Sequence, residues 1–267
     1  MTSNGTTWTV DTVRSADGTT IAYETAGEGP PIILVGGAFN DRSTTRPLAT
    51  ALASDFTVYG YDRRGRGDSG DAAPYAVQRE IEDVAALIDR AGGTAYLYGL
   101  SSGAILAAFA AAEGLPVRGL ALFEPPFQAE PHGGAKPGLA GRLTELVSAG
   151  RRGDAVALFL TDAVGVPAGA VAGMRDMPEW AWMEGLAHTL AYDSTVTGDG
   201  ALPAARLATI AVPTVVADST GSPDWLREAA AATAGAIPHA THLSLAGGFH
   251  EVPPEVLAPA LRAALLG

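Results

Sequence analysis

The chain of 267 residues contains no cysteine, so disulfides, thiolate catalysis and cysteine-based metal sites are excluded. It is also poor in basic residues, since 17 lysines and arginines stand against 29 acidic residues and leave a formal net charge of −12. This imbalance argues against nucleic acid and an anionic membrane surface as partners. No apolar run approaches the roughly 18 residues of a membrane-spanning helix, and residues 1–10 lack the apolar stretch of a signal peptide. We therefore expect a cytoplasmic protein that does not enter a membrane.

Short apolar runs alternate with amphipathic segments along most of the chain. Hydrophobic residues make up 47% of the sequence, which is enough for a large core. Pro31–Val35 and Val117–Phe123 are short and wholly or mostly apolar, as buried strands are, whereas Gln78–Ala91 has apolar residues at helical spacing. Strands that alternate with helices imply a mostly parallel sheet with helices on both faces. The sequence therefore predicts an α/β fold.

Residues 127–209 differ from the flanking sequence because they carry no convincing strand signal. Helix-like patterns occupy most of this stretch, at Gly138–Ala149, Asp154–Val164, Ala168–Met177 and Glu179–Tyr192. We interpret the polar segment Asp193–Gly200 as the joint that closes it. The predicted organisation is a core domain formed by residues 1–126 and 210–267, with a helical cap insertion at residues 127–209.

The pattern Gly-x-Ser-x-Gly at Gly99–Gly103 is the most informative motif. An apolar strand precedes it and a helix rich in small residues follows, so Ser101 is predicted at the tip of a sharp strand-to-helix turn. Glycine is needed on both sides because such a turn is strained and the chain passes close to itself. The helix N-terminus directs the amide of Ser102 toward an oxyanion that forms on an attacked carbonyl. Ser101 is therefore the predicted nucleophile.

The order of motifs resembles that of the α/β-hydrolase fold family over essentially the whole chain. Its landmarks are an initial hairpin, the glycine-rich loop Gly36–Asn40, the segment Asp62–Ser69, the turn at Ser101, a helical insertion and a late histidine, His250. The resemblance implies the α/β-hydrolase fold, a mostly parallel central β-sheet flanked by helices with a helical cap inserted after strand 6. It also implies a hydrolase, or less commonly a lyase, a cyclase or a receptor. Serine rather than aspartate at the nucleophile position argues against epoxide hydrolases and dehalogenases.

The same resemblance implies His250 as the catalytic base, while the acid stays open among three residues. The family usually places its acid after the seventh strand, where this chain has Ser222 before the proline. Asp218 comes earlier and Asp224 later, in the first turn of a helix. Glu124 follows the apolar sixth strand directly, and a carboxylate at that buried position needs a partner such as an imidazole. We rank Glu124 first, Asp218 second and Asp224 third. The other four histidines are interpreted as insertion or surface residues.

The rest of the predicted site departs from the family pattern at one position. Gly36 stands where the family commonly has a histidine, but an oxyanion hole needs only a backbone N–H, so Ala38 is predicted to supply one beside Ser102. We interpret the segment Asp62–Ser69 as structural. An apolar pocket above Ser101 is predicted from residues of the loop and of the insertion, namely Phe39, Phe127, Trp182 and Leu186.

These features together predict a serine hydrolase that cleaves a small or medium, apolar carboxylic ester, lactone or thioester through an acyl-enzyme. No metal and no organic cofactor are called for, the partner is a small-molecule acyl substrate, and the chain is expected as a monomer or homodimer. Two alternatives stay open. One is a lyase or cyclase that uses Ser101 and His250 for proton transfer, and the other is a non-catalytic protein that binds a ligand in the pocket.

Overall fold

The structure of the protein, a computed structural model, describes residues 7–127 and 137–267. Eight strands form one sheet in the order β1-β2-β4-β3-β5-β6-β7-β8. Their bounds are β1 Thr9–Arg14, β2 Thr20–Ala26, β3 Pro31–Val35, β4 Thr57–Tyr61, β5 Ala95–Leu100, β6 Val117–Phe123, β7 Thr214–Ser219 and β8 Thr241–Leu245. β2 runs antiparallel to both its neighbours, and all other pairs are parallel. The predicted mostly parallel sheet is confirmed.

Helices cover both faces of this sheet. In chain order they are α1 Arg42–Leu52, α2 Val77–Arg90, α3 Ser102–Ala112, α4 Leu139–Ser148, α5 Arg152–Phe159, α6 Ala168–Met174, α7 Glu179–Gly185, α8 Leu190–Thr197, α9 Ala204–Leu207, α10 Asp224–Ala236 and α11 Pro254–Leu266. A π-helical turn, Leu160–Val164, continues α5, and a 3₁₀ turn, Ala187–Thr189, precedes α8. Across the described residues, no helix is both long enough and apolar enough to cross a bilayer.

The strands are apolar on both sides because each face of the sheet has its own core. In β5, Leu97 packs among the side chains of α2 and α3, whereas its neighbour Tyr98 packs among those of α1 and α11. Alternate residues of a strand point to opposite faces, so a strand between two helical layers has no polar side. This arrangement explains why β3 and β5 appear in the sequence as nearly unbroken apolar runs.

The helices α4 to α8, which lie between β6 and β7 in the chain, pack around a third apolar cluster. Ala38 and Phe39 of the main sheet's loop lie against that cluster, which places these helices over the carboxyl end of β3. The division of the chain at residues 127 and 209 stays a prediction, and His132 lies outside the described residues.

Two predictions about this helical segment are wrong. Glu179–Tyr192 was predicted as one helix, but α7 ends at Gly185 and α8 begins only at Leu190. Asp193–Gly200 was interpreted as a joint, whereas α8 continues to Thr197. Glycine weakens a helix, which accounts for the break. Aspartate also has low helix propensity, but the Asp193 carboxylate is buried and paired with arginines of the core, and such contacts override propensity.

Candidate active site

Ser101 lies at the turn between β5 and α3, with the positive φ of 57° and a ψ of −124°. A side chain on Gly99 would place its Cβ 2.5 Å from Ala104 Cα, and one on Gly103 would place it 2.3 Å from the Val35 carbonyl oxygen. Both distances are far inside van der Waals contact, so both positions require glycine. The turn therefore exposes the Ser101 side chain above the carboxyl end of the sheet, at the start of a helix.

Glu124 follows β6 and is completely buried. Its Oε2 accepts a hydrogen bond from His250 Nδ1 at 2.5 Å, and its Oε1 accepts one from the Ser219 amide at 2.8 Å. An ionised carboxylate only accepts hydrogen bonds, so Nδ1 carries the proton and Nε2 is left as an acceptor. The His250 side chain is 27% exposed, which leaves the ring accessible from the cavity. This arrangement orients an imidazole with a free basic nitrogen.

The two other candidate carboxylates lie away from His250. Asp218, at the end of β7, accepts hydrogen bonds from His242 Nε2 at 2.6 Å and from Arg227 Nε at 3.2 Å. Asp224 is exposed at the first position of α10. Of the three carboxylates named from the sequence, the structure therefore brings Glu124 alone to the His250 ring.

Ser101 and His250 face one cavity of about 300 Å³. Ala38 and Ser102 line the same cavity, so the two predicted oxyanion donors lie beside the predicted nucleophile. Within the described part of the chain, the Ser101 hydroxyl makes no hydrogen bond, and the hydrogen bonds of His250 go to Ser222 and Glu124. Catalytic hydrogen bonds are often long in free enzymes and shorten when substrate binds.

One of the four residues predicted to form the apolar wall lines the cavity. Phe39 lines the cavity, but Phe127, Trp182 and Leu186 do not. Phe127 points into the core, where its ring centroid lies 6.1 Å from that of Phe109. Trp182 is 43% exposed, and its Nε1 donates to the Phe39 carbonyl at 3.2 Å. Leu186 follows the end of α7, so it does not continue the helical face that carries Trp182.

Other apolar residues form the wall instead. They come from α5 and its π-helical turn, from the start of α10 and from the loop before α11, and they are Phe159, Leu160, Ala163, Val164, Trp225, Leu226 and Phe249. Phe249 is adjacent to His250 in sequence, which is a signal that sequence reasoning missed. Among the described lining residues, Asp193 and His250 are the ionisable ones.

Backbone strain marks the same site. Five described residues other than glycine have a positive φ, and four of them line the cavity or contact a residue that does. Those four are Phe39 at 59°, Ser101 at 57°, Glu124 at 46° and His250 at 53°. Such conformations cost on the order of 1–3 kcal/mol each and cluster at functional sites. The strain therefore points to the same residues as the hydrogen bonds do, by an independent observation.

The Gly36–Asn40 loop is fixed without the histidine that the family commonly has there. The Gly37 amide donates to Asn40 Oδ1 at 2.8 Å, and the Asn40 amide donates to the Gly37 carbonyl at 3.3 Å. A Cβ on Gly37 would lie 2.9 Å from Ser101 Cβ, so this loop passes directly against the turn at Ser101. The side chain of Asn40 therefore stabilises the closed conformation of this loop.

Comparison with known proteins agrees with this geometry. A model of the alpha/beta hydrolase family matches residues 32–260. The chain belongs to the alpha/beta hydrolase family. The crystal structure of an alpha/beta hydrolase from Sphaerobacter thermophilus DSM 20745 is 52% identical, with a TM-score of 0.89 over 94% of this chain and 98% of that one. The family and this hydrolase relative support an enzymatic role for the chain.

A more distant solved structure shares the fold. A thermophilic esterase from Thermogutta terrifontis is 23% identical, with a TM-score of 0.73 over 96% of this chain and 97% of that one. A curated relative, the uncharacterized hydrolase YraK of Bacillus subtilis (strain 168), is 37% identical over 93 residues, 33% of this chain and 34% of the relative. The match thus spans about a third of that relative's length.

Proposed function

We propose that this member of the alpha/beta hydrolase family is a serine hydrolase that cleaves a small or medium, apolar carboxylic ester, lactone or thioester. The observation that carries the proposal is the hydrogen bond between Glu124 and His250, beside a cavity that Ser101 also lines. A serine hydroxyl is a weak nucleophile until a base accepts its proton. His250 Nε2 is the available base, and the buried carboxylate stabilises the imidazolium that forms.

The reaction follows from these positions. His250 Nε2 takes the hydroxyl proton of Ser101 while Oγ bonds to the carbonyl carbon, and the carbonyl oxygen becomes an oxyanion. The imidazolium returns the proton to the leaving oxygen or sulfur as the tetrahedral intermediate collapses to an acyl-enzyme. A water molecule, deprotonated by the same nitrogen, then attacks the acyl carbon and releases the acid and free Ser101. In this mechanism the amides of Ser102 and Ala38 stabilise the oxyanion in both steps.

The cavity supports the substrate class. Its volume of about 300 Å³ is at the small end of the roughly 300–1,000 Å³ typical of ligand pockets, and most of its lining is aliphatic or aromatic. A short or compact apolar acyl group fits such a space. The Thermogutta terrifontis neighbour is an esterase, which agrees with the proposal at the level of the fold.

The direct test is covalent labelling with a fluorophosphonate together with the pre-steady-state burst of nitrophenol from p-nitrophenyl butyrate. The chain offers a matched control in Ser244, whose hydroxyl donates to Asp218 at 3.0 Å near a second histidine, His242. In that cluster the Ser244 hydroxyl and His242 Nε2 both donate to Asp218 Oδ2. The histidine therefore does not accept the proton of Ser244. We expect Ser101→Ala to abolish labelling and burst, and Ser244→Ala to retain both.

Failure of the wild-type protein to label or to turn over any acyl substrate would reject the proposal. The lyase or cyclase alternative predicts instead that Ser101→Ala keeps substantial activity on the true substrate, since no covalent bond to Oγ is needed. The two departures from the family pattern that could favour this alternative are the acid outside its usual place and Gly36 at the usual position of the histidine. The hydrogen bond from His250 to Glu124 and the one from the Gly37 amide to Asn40 support the hydrolase instead.

A further inference from the structure

A buried group of charges lies beneath the cavity, and one member comes from α8. Asp193, only 1% exposed, accepts hydrogen bonds from the guanidinium groups of two arginines in the segment after β4. Arg63 Nη1 lies 2.8 Å from Oδ1, and Arg66 Nη2 lies 2.9 Å from Oδ1 and 2.8 Å from Oδ2. This carboxylate therefore accepts three hydrogen bonds from two arginines that lie 127 and 130 positions away in the sequence.

The same carboxylate contacts the first residue of α3. The Ser102 hydroxyl donates to Asp193 Oδ1 at 2.7 Å, and Arg63 Nη1 lies 3.3 Å from that hydroxyl. The backbone amide of Ser102 is one of the two proposed oxyanion donors. Asp193 thus fixes the side chain of the residue whose N–H has to point at the oxyanion.

The other proposed donor is reached through the arginines. Arg66 Nη1 donates to the carbonyls of Gly37 and Asn40, the latter at 3.1 Å, and Arg63 Nη1 donates to the Gly36 carbonyl at 3.2 Å. These carbonyls flank the Ala38 amide on both sides. Because Asp193 fixes the two guanidinium groups, it also fixes the loop that presents Ala38.

The charges of the group balance, so it does not call for an anionic ligand. Glu80 accepts two hydrogen bonds from Arg63 at 2.7 and 2.6 Å, which pairs two carboxylates with two guanidinium groups. Burial opposes ionisation of Asp193, but the charges of Arg66 and Arg63 outweigh it and hold the pKa of Asp193 below its ordinary value. Well-packed apolar side chains of similar volume often stabilise a core as much as a buried ion pair does, so stability alone does not explain the charged residues here.

We propose that Asp193 is a positioning residue that sets, from α8, the separation of the Ser102 and Ala38 amides. This inference rests on the proposed function, because it assigns a role in the stabilisation of the same oxyanion. Asp193 thus orients both amides, although it belongs to neither α3 nor the Gly36–Asn40 loop. Loss of the Asp193 carboxylate displaces these amides, which weakens stabilisation of the oxyanion more than binding of the substrate. We therefore expect kcat to fall while KM is largely unchanged.

The principal variant is Asp193→Asn, which keeps the shape of the side chain but turns an amide NH₂ toward one of the arginines. We expect kcat for p-nitrophenyl butyrate to fall by about tenfold to hundredfold, since misplacement by a fraction of an ångström is costly, with KM within about threefold of the wild type. A trifluoromethyl ketone forms a hemiketal oxyanion on Ser101, and its inhibition constant should rise by a factor similar to the loss in kcat/KM.

The control is Asp83→Asn, which removes a buried partner of the neighbouring Arg64. Asp83 accepts two hydrogen bonds from Arg64 at 2.9 and 2.7 Å and does not touch the Gly36–Asn40 loop. It should lower the melting temperature without changing kcat or the affinity for the trifluoromethyl ketone. If Asp193→Asn behaves in the same way as this control, Asp193 is merely structural and the inference is overturned.

A second variant covers the case in which Asp193→Asn does not fold. Ser102→Ala removes only the hydroxyl that Asp193 holds and keeps the backbone N–H, so we expect kcat to fall by at least about threefold with unchanged KM. Wild-type kcat and inhibitor affinity in this variant would overturn the inference. The two proposals fail separately: absence of fluorophosphonate labelling in the wild type rejects the serine hydrolase, whereas normal labelling with fully active variants rejects only the role of Asp193.

Discussion

Replacement of Glu124 by glutamine is the most discriminating perturbation of the proposed triad. Glu124 accepts from the Ser219 amide with one oxygen and from His250 Nδ1 with the other. In Glu124→Gln the amide oxygen can serve only one of these donors, so an NH₂ group faces the other. If it faces His250, the ring has to adopt the tautomer that carries its proton on Nε2. That tautomer has no lone pair available to accept the proton of Ser101.

The expected loss follows from this conflict. An amide in place of the carboxylate of a serine-protease triad lowers kcat about 10⁴-fold, because the histidine is held in the wrong tautomer. Here the amide has the alternative of facing Ser219, which leaves a buried amide pair unsatisfied at a cost of about 1–3 kcal/mol. We therefore expect kcat to fall by about 10³- to 10⁴-fold, which corresponds to about 4–5.5 kcal/mol of lost transition-state stabilisation.

The assay is steady-state hydrolysis of p-nitrophenyl butyrate, with the fraction of folded protein checked by circular dichroism. The control is Asp218→Asn, which also removes a buried carboxylate, but one that is paired with Arg227 and His242. It should lower stability and keep kcat within about threefold of the wild type. A larger loss of kcat in Asp218→Asn than in Glu124→Gln would refute the assignment of the acid.

Three further changes have defined outcomes. Gly37→Ala places a Cβ 2.9 Å from Ser101 Cβ and from the Leu100 carbonyl, so it should displace the Gly36–Asn40 loop and lower kcat by more than about tenfold in a folded protein; a fully active variant contradicts this. Leu97→Ala, at a completely buried position of β5, should cost about 2–5 kcal/mol in urea unfolding, and a loss below about 1 kcal/mol would contradict the packing argument. Despite the burial of Asp193, the charges of Arg66 and Arg63 hold the pKa of its carboxyl below the ordinary value. The contribution of this carboxylate to the free energy of unfolding is therefore complete above about pH 4 and is lost as the pH falls through the folded-state pKa. The difference in unfolding free energy between the wild type and Asp193→Asn should accordingly narrow below pH 4, and a constant difference would show that no such linkage exists.

The features that were predictable from the sequence are those that neighbouring residues determine. The turn at Ser101 needs glycine at two nearby positions, and both appear within a pentapeptide. The place of Glu124 also has a local signature, since an apolar run precedes it and Pro125 and Pro126 end the strand. Buried strands with helices on both faces are apolar throughout, which makes the alternation of elements visible without any knowledge of the contacts.

The features that were not predictable depend on contacts between distant residues. Asp193 lies in a segment whose composition is typical of a loop, and its helix is stabilised by Arg63 and Arg66, which are 130 and 127 positions away. The predicted residues of the apolar wall differ from the observed ones for a related reason. Trp182 lies within α7 and Leu186 beyond its end, so the two do not share one continuous helical face, and the sequence signal for that break is a single glycine, Gly185.

The proposed position of the acid, at Glu124, gives the turn after β7 a different role. Where this family commonly carries its acid, the chain has Ser222, whose Oγ accepts a hydrogen bond from the His250 backbone amide at 2.9 Å. Ser219, in the same turn, donates its amide to Glu124 and its hydroxyl to the Gly248 carbonyl at 2.6 Å. The turn therefore holds both Glu124, the proposed acid, and the loop that carries His250.

With Glu124 beside His250, the residue at position 222 is constrained to be neutral. Glu124 already places one carboxylate in a completely buried position against the imidazole. A second carboxylate at Ser222, itself 6% exposed, would add a like charge in the same low-dielectric region and raise the pKa of one of the two acids. One of them would then be held protonated, and the imidazolium that forms during catalysis would lose part of its stabilisation. A neutral side chain such as Ser222 accepts the hydrogen bond of the His250 amide without adding a second negative charge. Serine at position 222 is therefore compatible with Glu124 as the single carboxylate beside His250.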